Sequence, residues 1–98
     1  MSLPSDDPEF MELRDEIDRL DQQILQLIAA RIRVVLKVGD YKRARGLKVY
    51  DPERERTLLE QLARAAPPPL DGETVKRIFE RLVDESRRLE QKHIDTDH

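Results

Sequence analysis

Residues 13–44 read LRDEIDRLDQQILQLIAARIRVVLKVGDYKRA, and one line of apolar side chains threads most of that stretch. Leu13, Ile17, Leu20, Ile24 and Leu27 are separated alternately by four and three residues, and Val34, Val38 and Tyr41 extend the seam. That spacing predicts a helix with one apolar face. It persists to about Ala44, where Gly46 supplies a stop. Roughly thirty residues at about 1.5 Å each make a rod on the order of 50 Å long. Gly39 within it costs about 1 kcal/mol relative to alanine. A rod longer than a small domain's diameter cannot be covered by the rest of a 98-residue chain. A homodimer that lays two such rods together buries the same seam twice.

On the carboxyl-terminal side, residues 45–50 (RGLKVY) form a loop. Asp51-Pro52-Glu53 then opens a second helix, with Asp51 as N-cap and proline at the first helical position. That helix runs to about Ala65 and stops before the three prolines 67–69. Asp71 caps a third helix, whose apolar face (Val75, Ile78, Phe79, Leu82, Val83, Leu89) extends to about His93. On the amino-terminal side the chain is polar, acidic and broken by Pro4 and Pro8. The expected division is a flexible lead-in over 1–10, one helical domain over 11–93 and a frayed tail over 94–98. The expected fold class is all-α, with a long, a short and a medium helix per chain.

Composition excludes several functions. The net charge is −3, from 18 basic and 21 acidic residues, without the basic excess of a nucleic-acid-binding module. There is no cysteine, hence no disulfide, thiolate metal site or cysteine nucleophile. No apolar run approaches the roughly 20 residues of a membrane span, and the amino terminus lacks a signal-peptide layout. A cytoplasmic protein that binds neither nucleic acid nor membrane is expected. His93 and His98 sit with Asp95 and Asp97 near the tail, but the expectation is no metal and no cofactor.

The informative residues are charged ones that fall on apolar lines. The seam predicts its next member at position 31, which is Arg31, and continues through Val35 and Val38 to Lys42. Eleven residues turn a helix about three times, so Arg31 and Lys42 share a face about 16 Å apart. In helix two, Arg54 lines up with Leu58 and Leu62, and Glu55 with Leu59 and Ala63. In helix three, Val75, Phe79 and Leu82 lead through Ser86 to Glu90. Each residue alone has a packing explanation: a snorkelling arginine, or a serine bonded to the preceding turn. Together they suggest an anionic ligand as the missing partner of buried charge. With no serine–histidine–acid set in sight, fixed charge and conformational restraint are the chemistry left.

Leu13-Arg14, Ile17, Leu20-Asp21, Ile24-Leu25, Leu27, Arg31, Val38-Gly39 and Lys42, followed by Asp51-Pro52-Glu53-Arg54-Glu55-Arg56, resemble the all-α (AroQ-type) chorismate mutases over about residues 11–93. The resemblance implies three helices per chain, intertwined as a homodimer, and the rearrangement of chorismate to prephenate on the route to phenylalanine and tyrosine. It implies that Arg14 reaches the partner subunit's site to bind one carboxylate and that Arg31 binds the other. It further implies that Lys42 and Glu90 act at the ether oxygen, with Arg54 adding positive field there. Glu55 and the backbone near Asp51 would take the ring hydroxyl, and Ser86 would touch a carboxylate. Glu90 departs from the many relatives with glutamine. A glutamate can donate only when protonated, and an apolar wall should raise its pKa.

Sister activities on the same scaffold stay open: isochorismate–pyruvate lyase, or mutation of the 4-amino analogue of chorismate. So does a non-catalytic regulatory helical dimer. The Asp51–Arg56 run also resembles that of mutase domains fused to the aldolase that opens the shikimate pathway (DAHP synthase).

Overall fold

The structure, a computed structural model, describes residues 7–96. Helices α1 (Pro8–Ala44), α2 (Pro52–Arg64) and α3 (Gly72–Thr96) follow one another, in the long, short, medium order the apolar spacing predicts. None is long and apolar enough to cross a membrane.

Helix α1 begins two residues before Phe10, because Pro8 opens the helix instead of belonging to a lead-in. The Asp7 side chain accepts the Glu9 N–H at 2.9 Å and its carbonyl accepts the Met11 N–H at 3.0 Å. Asp7-Pro8-Glu9 thus repeats the chemistry of Asp51-Pro52-Glu53. Helix α3 likewise outruns His93. Gln91 Nε2 donates to Asp95 Oδ1 at 3.1 Å, and Thr96 Oγ1 to the Lys92 carbonyl at 2.8 Å. Of the expected tail, 97–98 lie outside the described residues, as do 1–6 of the expected lead-in.

Two compact units divide the chain, Met1–Arg33 and Val34–His98. In the first, the helix carries Leu13, Ile17, Leu20, Ile24 and Leu27, each with more than half its surface open. In the second, α2 packs against α3. Val75 and Val83 are buried there, with Leu58, Leu59, Leu62, Phe79 and Leu82 half-buried around them. The Asp71 carboxylate accepts the Thr74 N–H at 2.8 Å, a cap that holds this carboxyl below its ordinary pKa. Gly72 lies against the end of α2, where an added Cβ would meet the Ala63 carbonyl at 3.3 Å.

The end of α1 is fixed by backbone chemistry. Leu47 N–H bonds the Lys42 carbonyl at 2.9 Å and Gly46 N–H the Arg43 carbonyl at 3.2 Å, while Gly46 takes φ +67°. This is the Schellman closure, and the left-handed residue is the glycine that the sequence supplies. It anchors the turn that carries Lys42 and Arg43.

Candidate active site

Within the second unit, Glu90 of α3 is the centre of a charged cluster. Its carboxyl reaches α1 over Gly39: a Cβ added there would stand 2.7 Å from Glu90 Oε2 and 3.2 Å from Cδ. Gly39 is the buried residue of α1, so the glycine makes the room that the carboxyl occupies. Burial pushes the Glu90 carboxyl above the ordinary carboxylate value; Arg43 and Lys42 oppose that shift, while Asp40 and Glu55 reinforce it. Glu90 and Lys42 are both half-buried, and with the carboxyl in its protonated form the two are a pair of hydrogen-bond donors.

Glu55 of α2 faces the same cluster and is held by a residue that the apolar-line reading missed. Arg87 Nε donates to Glu55 Oε1 at 3.0 Å, and the other carboxylate oxygen takes the Arg87 terminal nitrogen. This two-pronged pair raises the Arg87 pKa further. The guanidinium also lies over the Tyr50 ring, 4.2 Å from its centroid. Arg87 is three residues before Glu90 and so shares its side of α3. That spacing is the signal that would have found it.

Asp40 and Arg43, which flank Lys42, were missed for the same reason. Asp40 pairs with an Arg43 terminal nitrogen and stands 3.3 Å from His93 Nε2 of α3. The other Arg43 nitrogen, Nη1, is buried without a hydrogen-bond partner among the described residues. No three His, Asp or Glu side chains among the described residues are grouped to hold a metal ion; His98 and Asp97 lie outside them.

The remaining expected site residues are placed as follows. Asp51 caps α2, accepting the Arg54 N–H at 3.0 Å. Arg54 is exposed rather than inward-facing, since it is Glu55, one position on, that turns toward α3. Ser86 is buried at 4% exposure and donates to the Leu82 carbonyl at 2.7 Å, the bond to the preceding turn that such a serine commonly makes. To donate to a ligand carboxylate it would have to give up Leu82. Arg14 and Arg31 belong to the first unit. The Arg14 guanidinium lies 5.3 Å from the Phe10 ring centroid, and Arg31 is half-buried.

An all-helical chain that gathers a carboxyl with a burial-raised pKa, a lysine and an anchored second carboxylate at one place defines a class: helical proteins with a cluster of fixed charge between their helices. Comparison with known proteins narrows the class. The family described as "Chorismate mutase type II" matches residues 13–91, and the chain belongs to that family. It is 39% identical over 76 residues to the T-protein of Enterobacter agglomerans, covering 72% of this chain and 20% of that one. Among solved structures it resembles a chorismate mutase of Thermus thermophilus (TM-score 0.80, 35% identity, 85% of this chain and 94% of the other). It also resembles the Helicobacter pylori chorismate mutase in complex with prephenate (TM-score 0.82, 27% identity, 91% and 97%). The chain spans about a fifth to a quarter of the length of the first curated relatives it matches.

Proposed function

We propose that the protein is a chorismate mutase, converting chorismate to prephenate by an intramolecular [3,3] rearrangement. The observation that carries the reading is the Glu90 cluster: a carboxyl whose burial favours the protonated form, beside Lys42 and opposite the anchored Glu55. In the reaction the ether C–O bond breaks as a C–C bond forms, and negative charge gathers on the ether oxygen before it becomes a carbonyl. Lys42 and protonated Glu90 donate to that oxygen, and each such contact lowers the barrier by a few kcal/mol. Glu55 accepts from the ring hydroxyl near the Asp51 backbone, and Arg54 adds positive field. Arg31 binds one carboxylate, and Ser86 touches a carboxylate when its hydroxyl turns from the Leu82 carbonyl. No nucleophile or cofactor takes part; the protein holds a flexible dianion in its reactive shape.

The same reading makes the protein a homodimer in which Arg14 crosses to the partner's site and binds the second carboxylate. Two features support the dimer. The line Leu13, Ile17, Leu20, Ile24, Leu27 is open to solvent in the single chain, and Val75 and Val83 are the only buried hydrophobic residues among those described. An apolar face of that length is an interface in want of a partner. The proposal places the enzyme in the cytoplasm.

The test is the loss of chorismate absorbance on adding the protein at two pH values, with the product identified. Prephenate is the expected product, formed faster at the lower pH. Turnover of isochorismate to pyruvate and salicylate, with chorismate untouched, would reassign the chain to the lyase. Inertness toward both would leave a binding module.

A further inference from the structure

Glu90 is approached from several sides. Helix α1 brings Asp40, Lys42 and Arg43, α2 brings Glu55, and on its own helix Arg87 is spent on Glu55 while His93 faces Asp40. Lys42 and Glu55 already have roles toward the substrate; Asp40 and Arg43 have none. Their geometry is nevertheless specific. The same point over Gly39 that lies 2.7 Å from Glu90 Oε2 lies 3.5 Å from Arg43 Nη1, so the guanidinium and the carboxyl converge there. Nη1 makes no hydrogen bond to the carboxyl or to any other described group, and it is buried. The other terminal nitrogen of the same guanidinium pairs with Asp40. Asp40 is itself tied to α3 through His93 Nε2, at 3.3 Å and 3.4 Å from its two oxygens.

We infer that Asp40 and Arg43 form a positioning pair that sets the protonation state of Glu90, Arg43 favouring the carboxylate and Asp40 both opposing that charge and holding the guanidinium off. The consequence for rate rests on the reading of Glu90 as the proton-bearing donor in the proposed mutase; the titration of Glu90 itself does not.

The two members of the pair act with opposite sign. Asp40→Asn removes an anion near Glu90 and releases Arg43 to pair with it, and both effects favour ionised Glu90. Arg43→Gln removes the cation and favours the protonated acid. A single charge at this range, partly screened by solvent, corresponds to a shift of about half to one pH unit. Arg43→Lys retains the charge and should stay near the parent.

The experiment is a carbon-detected NMR titration of the Glu90 carboxyl in protein labelled at glutamate, assigned by its loss in Glu90→Gln, with pH–rate profiles for chorismate on the same samples. The expected titration midpoints fall in Asp40→Asn and rise in Arg43→Gln. The high-pH limb of the rate profile should move the same way, so that at a pH above the limb Asp40→Asn is about three- to tenfold slower than the parent. Helical circular dichroism confirms that each variant is folded. Midpoints that stay put, or that move in the same direction in both variants, overturn the inference and leave the mutase reading standing. Opposite shifts in midpoint that the rate ignores keep the pair as the regulator of Glu90 and remove Glu90 from the mechanism.

Discussion

Gly39→Ala separates the fold's demands from the site's. In a helix interior alanine is favoured over glycine by about 0.8–1.0 kcal/mol, and Gly39 has no left-handed backbone angle to protect. The obstacle to a methyl group is the end of a side chain: Glu90 Oε2 at 2.7 Å and Cδ at 3.2 Å, with Arg43 Nη1 next at 3.5 Å. Ordinary van der Waals contact begins at 3.4 Å, so the carboxyl must retreat by at least several tenths of an ångström, and rotation of the glutamate is enough to provide that. The helix gain should therefore survive, raising Tm by about 4–8 °C for a domain of this size. The reaction should not. A donor displaced toward 1 Å from the ether oxygen costs up to about a hundredfold in rate, so kcat should drop about ten- to a hundredfold, with a smaller change in KM. Thermal unfolding and chorismate consumption on the same preparation measure both. A variant as active as the parent would refute the role of Glu90 as a donor held over Gly39. A variant that loses several degrees of Tm would show that the methyl strikes packing instead of a mobile carboxyl.

Three further outcomes follow from the same geometry. Glu90→Gln should flatten the pH–rate profile: the parent's activity falls as pH rises through the raised Glu90 pKa, whereas the amide donates at any pH. The same shift bears on stability, since a carboxyl with a raised folded-state pKa contributes stability that is full below the unfolded value and is lost as pH rises through the folded one; the advantage of Glu90→Gln in Tm should grow over that window, and a constant difference would count against burial as the cause. Saturating chorismate should raise the parent's Tm, by an amount equivalent to about 2.7 kcal/mol at a hundred times Kd, and Arg31→Ala should abolish that rise; a rise of equal size in the variant would exclude Arg31 as a carboxylate ligand. Asp51→Ala removes the α2 cap and should cost about 1 kcal/mol, read as a lower urea midpoint with an unchanged slope.

Most of the fold was legible because it rests on local chemistry. The alternation of four and three from Leu13 to Leu27 gave α1, Asp51-Pro52 and Asp71 gave the starts of α2 and α3, and Gly46 gave the end of α1. The errors were at the outer ends. Pro8 reads as a breaker in the sequence, yet Asp7-Pro8-Glu9 has the same make-up as the start of α2, and a proline at a first helical position loses no hydrogen bond. Helix α3 runs beyond the end of its apolar face because its last turn is held by side chains, Gln91 on Asp95 and Thr96 on the Lys92 carbonyl.

The candidate site was legible only where charge interrupts an apolar line, and that criterion selects one kind of candidate residue. It nominates Arg31, Lys42, Arg54, Glu55, Ser86 and Glu90, each of which continues a line of apolar residues along its helix. It passes over Arg87, Arg43 and Asp40, because these lie beside the line: Arg87 spans from α3 to Glu55 of α2, while Asp40 pairs with Arg43 on its own helix and meets His93 of α3. Glu55 illustrates the difference. The sequence places it on an inward line, but its partner is 32 residues away, and no periodicity within one helix can nominate a partner on another. Gly39 was legible as a cost and not as a purpose, since the carboxyl that needs its missing Cβ is on α3. The residues proposed to touch the reacting atoms break a helix's apolar pattern. The residues that tune them need only be within reach of a charge, and they leave no mark on it.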